Sequence, residues 1–127
     1  MPIRLDEPAT SNLVNGCLVV TVPIEIADKL PALQAQVLER VRAGGLRAVV
    51  LELSAVQIMD RIEFAGLRDL AKMLRLLGAR TVFVGLRPGI VAWMLANDVD
   101  VADLEIRRHL EDALRLFAAT PRRGGGG

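Results

Sequence analysis

The sequence predicts an α/β domain: a mixed, mostly parallel β-sheet that opens on an antiparallel strand pair, with helices packed around it. Three observations carry this expectation. β-Branched apolar runs ("CLVVTVP", 17–23; "LRAVVLEL", 46–53; "TVFVGL", 81–86) alternate with stretches of helical periodicity, which implies parallel strands joined by right-handed crossovers. The apolar residues, 52 % of the chain, include only three Phe and one Trp, so the core is aliphatic, as layered α/β packing favours. The length, 127 residues, is that of one domain with one core.

Taken in order, "MPIRLDEPATSNLVN" holds weak strand material, and "NG" at 15–16 is a hairpin turn into the strand "CLVVTVP". From Ala27 to Ala43 apolar residues recur at three- and four-residue steps (Leu30, Leu33, Val37, Val41), and "AGG" ends the helix. "LRAVVLEL" is the next strand. Residues 61–77 form the clearest amphipathic helix, with Ile62, Gly66, Leu70, Met73 and Leu77 on the expected buried face and Arg68, Lys72 and Arg75 opposite. "TVFVGL" is the third buried strand, and Pro88 suits the first turn of a short helix to Asn97. A brief strand is expected near Val99–Leu104 and a last helix at about Arg108–Ala118. The domain is taken as residues 1–118, with 119–127 an Arg/Gly tail expected to remain disordered.

Composition removes several function classes. Sixteen basic and fifteen acidic residues leave a formal charge of +1, and the one basic cluster, Arg122–Arg123, lies in the tail, so nucleic-acid binding is not expected. A single cysteine, Cys17, excludes an internal disulfide and fits a reducing compartment. No secretory signal and no run long enough to span a bilayer is seen, so a cytoplasmic protein without a membrane partner is expected. One His and one Cys cannot supply the usual metal ligand set, and no cofactor is expected. His109 reads as a solvated helix-surface residue. Ser54 is the best-placed hydroxyl, yet no base is indicated for it and a turn-capping role is favoured. "GLRPG" (85–89) lacks a phosphate-loop pattern and reads as a tight turn. The chain is therefore expected to bind rather than to catalyse.

"VQIMDRIEFAG" (56–66) carries the candidate site. Asp60 suits an N-cap, and Glu63 completes a capping box. A helix start also favours anions, and Arg61 stands in that first turn, where a cation is mildly unfavourable. Phe64 falls on the polar side of the helical wheel with Arg68. It either packs beneath a neighbouring loop or anchors a partner, in which case Arg61, Phe64 and Arg68 form one edge of a docking face.

The order "VVLELSAVQIMDRIEFAGLRDLAKMLRLLGARTVFVGLRPGIVAWML" (49–95) resembles the STAS domains of bacterial anti-sigma-factor antagonists, most closely the small RsbS-like scaffolds of the stressosome. The resemblance rests on "ELSAV", the "IMD" turn, "LGAR" before a strand and "GLRP" after it, and it covers about residues 12–118. It implies the same mixed sheet, and a role: assembly with RsbR-like STAS partners into a large homo- or hetero-oligomer that holds an RsbT-like serine/threonine switch kinase. It also implies a phosphoacceptor directly after the family Asp. Here Asp60 matches that Asp, and the acceptor position holds Arg61, while Ile90–Asn97 offers no Ser or Thr either. The resemblance thus implies a scaffold that is not phospho-switched at this site, with Asp60, Arg61, Glu63, Phe64 and Arg68 as its docking edge. The alternative is a STAS accessory subunit of a membrane transport system.

Overall fold

A computed structural model describes residues 9–119; the expectations for the first eight residues and for the tail from 120 lie outside the described residues. Asn15 and Gly16 both adopt positive φ (52° and 82°), the left-handed pair a two-residue hairpin turn needs, and they join β1 (Thr10–Val14) to β2 (Cys17–Thr21) with Val14 opposite Cys17. β3 (Ala48–Glu52), β4 (Arg80–Val84) and β5 (Glu105–Arg107) then add in parallel, giving the order β1-β2-β3-β4-β5. The hairpin is the one antiparallel pair of this sheet.

The first helix is a little different from expectation. Residues Ala27–Lys29 form a 3-10 turn, and α1 runs Leu30–Gly44, with Pro31 in its first turn, where a missing N–H costs nothing. α2 (Arg61–Leu76), α3 (Pro88–Ala96) and α4 (Leu110–Ala119) complete the domain.

The strands' alternation sorts their side chains to two faces. Leu18, Val20, Val49, Leu51 and Phe83 join Leu33 and Val37 of α1, Leu67 and Leu74 of α2 and Ile90 and Met94 of α3 in the larger core. Val19, Val50, Val82 and Val84 meet Ala113 of α4 on the other face. There Arg80 reaches Glu105 through Nε (2.5 Å) and Nη2 (2.6 Å) while its guanidinium lies 5.7 Å from the Phe117 ring centroid. This clasp ties β4, β5 and α4 together, and its hydrogen bonds hold the Glu105 carboxyl below the usual carboxylate range.

Two expectations need correction. The last strand forms at Glu105–Arg107, not at 99–104. The earlier stretch is spent on local turns: Val99 N–H donates to the Met94 carbonyl, Ala102 N–H to Asp100 Oδ1, and Leu104 N–H to the Val101 carbonyl. The buried arc of α2 is also rotated. Phe64, Leu67, Leu70 and Leu74 point into the core, whereas Ile62 is 78 % exposed and Leu77 is exposed as well. The stripe read from the sequence is the seam toward α1, where Gln34 Nε2 donates to the Gly66 carbonyl (2.8 Å). A Cβ on Gly66 would stand 2.1 Å from Leu30 Cδ2, so the two helices touch here and a larger residue forces the Leu30 side chain to shift.

Candidate functional site

The N-terminus of α2 follows the β3–α2 loop at the carboxyl end of the parallel strands, where α/β sheets place their sites. Asp60, extended at φ −97° and ψ 178°, accepts the Glu63 N–H through Oδ1 (2.7 Å), and Glu63 Oε1 accepts the Asp60 N–H (2.9 Å). The capping box is formed on both sides, and it accounts for both carboxylates without a ligand.

Arg61 has a structural role that its own helix does not reveal. Its Nη2 donates to the Asn97 carbonyl (2.7 Å), at the C-cap of α3. A cation is mildly unfavourable at the start of α2 but favourable at the end of α3, where carbonyls lack intrahelical partners. That end is tightly wound: Asn97 Nδ2 donates to the Trp93 carbonyl (2.8 Å), and Asp98 takes a positive φ of 50°. Seven residues apart, Arg61, Arg68 and Arg75 stand on one line of α2, and Arg75 Nη2 reaches the Asp103 carbonyl at 3.5 Å. The line therefore faces the α3–β5 connection.

Phe64 corrects the docking-edge expectation. It is 4 % exposed and belongs to the core, so it packs inward and offers a partner nothing. Arg68 lies against it, its guanidinium carbon 5.4 Å from the ring centroid, with Nε and Nη2 buried and making no hydrogen bond among the described residues. This is a packing contact of the cation–π kind.

The structure thus divides the five candidate residues. Arg61, Phe64 and Arg68 occupy the flank toward α3. Asp60 and Glu63 instead line a groove of about 500 Å³ with Ile24, Glu25, Ala27, Gln57 and Ile58. Ile58 is 84 % exposed and Ile24 63 %, an apolar pair set among carboxylates. Sequence reasoning missed both isoleucines, although an "IMD" turn placing Ile58 outside any regular element was the available signal.

Ser54 gains a carboxylate partner that the sequence did not indicate: its N–H (2.9 Å) and Oγ (2.5 Å) both donate to Glu52 Oε1, and Arg87 Nε donates to its carbonyl (2.7 Å). Both donors ending on one oxygen make this a strand-end turn. His109 is exposed. Among the described residues no group of three or more His, Cys, Asp or Glu side chains is placed to hold a metal, and no helix is long and apolar enough to cross a membrane.

Comparison with known proteins places this geometry in context. The STAS domain family profile matches residues 11–113. YezB, an uncharacterized protein of Bacillus subtilis (strain 168), is 33 % identical over 69 residues, which are 54 % of this chain and 70 % of that protein. Among solved structures, a variant of RsbS from Moorella thermoacetica superposes with a TM-score of 0.75 at 16 % identity, over 87 % of this chain and 94 % of the other. A chain of the stressosome, described as a signal integration and transduction hub, gives 0.74 at 17 % identity, over 87 % and 100 %. The murine anion transporter Solute Carrier 26 family member A9 gives 0.68 at 16 % identity, over 84 % of this chain and 18 % of the transporter. At such identities these likenesses establish the fold.

Proposed function

This chain belongs to the STAS domain family, and from that premise we propose that it is a non-catalytic docking subunit of the stressosome type, acting in the cytoplasm. In this reading the domain assembles with RsbR-like STAS proteins and holds an RsbT-like serine/threonine switch kinase. The observation that carries it is the groove beside the α2 N-terminus, where exposed Ile24 and Ile58 lie among Glu25, Asp60 and Glu63. Exposed apolar side chains set among carboxylates suit a partner segment that presents an apolar side chain flanked by Lys or Arg. Arg61 does not spoil that field, because its guanidinium is drawn to the Asn97 carbonyl on the opposite flank.

The same residue removes the switch. Residues 60–64 are Asp, Arg, Ile, Glu and Phe, and none carries a hydroxyl. Phosphorylation would bring about two negative charges to this helix start, and a fixed cation stands there instead. With arginine there, docking stays constant and any control comes through another subunit.

Incubation with a switch kinase and ATP tests this, followed by mapping of phosphate by mass spectrometry. The expected result is no labelling of the natural chain and labelling of Arg61→Ser at residue 61. Stoichiometric labelling of the natural chain at another residue would contradict it. The alternative, an accessory subunit of a transport system, draws on the transporter likeness and expects instead co-purification with a transporter ATPase.

A further inference from the structure

A cavity of about 310 Å³ lies at the C-terminal end of α2, bounded by the start of β4 and the approach to β5. Ala71 and Leu104 give it apolar walls, and Thr81 and Phe83 line its strand side. Phe83 belongs to the core beneath α2, and strand alternation puts Thr81 on the same face of β4. The Thr81 hydroxyl oxygen is buried there, yet it has no hydrogen-bond partner among the described residues. Buried hydroxyls are ordinarily paired, so this one calls for a partner from outside the chain.

Arg75 supplies a second polar group. It is exposed, and its hydrogen bond to the Asp103 carbonyl is a long 3.5 Å, which leaves most of its donors available. The Glu105 carboxylate is already held by Arg80 through Nε and Nη2. Those hydrogen bonds, and then the charges of Arg80, Arg107 and Arg75, keep the Glu105 carboxyl below its usual range. Three cations therefore surround two carboxylates, Glu105 and Asp103, and one positive charge is left over. A cationic ligand is repelled, and a phosphate dianion finds too little charge.

We propose that this cavity binds a small monocarboxylic acid with an apolar body, its carboxylate shared between Arg75 and the Thr81 hydroxyl. Both groups donate and a carboxylate only accepts, so the match is of donor to acceptor as well as of charge. The apolar body lies against Ala71, Phe83 and Leu104. The volume is roughly twice that of a cavity able to hold benzene, and it admits about a dozen non-hydrogen atoms. Arg75 stands about 18 Å along α2 from Glu63, so the site does not depend on kinase docking.

Isothermal titration of the full chain with isocaproate tests the proposal, beside the neutral isocaproamide and inorganic phosphate. The acid is expected to bind with a Kd on the order of 1 mM or below. Amide and phosphate are expected to bind about tenfold more weakly, or less. Arg75→Gln is expected to lose the same tenfold with its thermal midpoint unchanged, because that side chain is exposed. Thr81→Val keeps the shape and breaks no hydrogen bond within the described residues. It is therefore expected to weaken binding while the ligand-free midpoint holds or rises. No binding of the acid, or equal binding of acid and amide, would overturn the proposal. So would a Thr81→Val variant that melts lower, since the hydroxyl would then be paired with an ordered water.

Discussion

Replacing Ile58 by lysine is expected to weaken binding of an RsbT-like kinase by about a hundredfold while leaving the fold untouched. Ile58 is 84 % exposed, so the folded domain loses no burial when it is changed. A partner covering the groove would bury most of that side chain, and central anchors of an interface typically contribute about 2 kcal/mol or more. Lysine adds a second penalty, because it places a cation among Glu25, Asp60 and Glu63 and opposes the basic partner that those carboxylates suit. Isothermal titration with the kinase, alongside thermal denaturation of the variant, separates the two effects. A variant that binds normally would move the docking site elsewhere on the domain.

Gly66→Leu is expected to have the largest effect on stability, about 2–3 kcal/mol, which corresponds to a fall of roughly 10 °C in the midpoint for a domain of this size. The cause is local overpacking. A Cβ at residue 66 already meets Leu30 Cδ2 at 2.1 Å and Cγ at 2.8 Å, and the Gln34 bond to the Gly66 carbonyl holds the helices at that distance. Gly66→Ala is expected to cost less, since the tip of Leu30 can turn aside and alanine favours the helix by about 1 kcal/mol over glycine. Circular dichroism melts of both variants check the ordering, and a Leu30→Ala background should recover part of the loss.

How much of this was legible in the sequence differs by feature. β2, β3 and β4 stood out because fully buried parallel strands read as unbroken β-branched runs, and the Asn15–Gly16 turn announced the hairpin. The capping box was legible because both partners lie within one turn, at Asp60 and Glu63. The rotated arc of α2 was not. Its apolar residues cover the core side, the α1 seam and an exposed edge together, so no single stripe identifies the buried one. Phe64 followed from that error, and Ile58 and Ile24 went unnoticed because exposure of a loop residue is decided by what fails to pack over it. β5 was displaced because turns among Asp98, Asp100 and Asp103 used the backbone that the pattern assigned to a strand.

Arg61 shows the limit most clearly. By local rules it is a misplaced cation at a helix start. Its partner is a backbone carbonyl 36 residues later, a group that every residue carries and no side chain advertises. Once that bond is seen, the arginine joins the start of α2 to the end of α3. In the proposed reading, the position that would carry a phosphate in a switchable scaffold is here occupied by a brace.

The claim that docking is constant is tested most directly by measuring the affinity of the protein for a purified switch kinase in the presence of ATP and of a non-hydrolysable analogue, before and after prolonged incubation. The same affinity is expected in all arms, with ATP-dependent release appearing only in Arg61→Ser. Release of the kinase from the natural chain on incubation with ATP, or no binding in any arm, would contradict it.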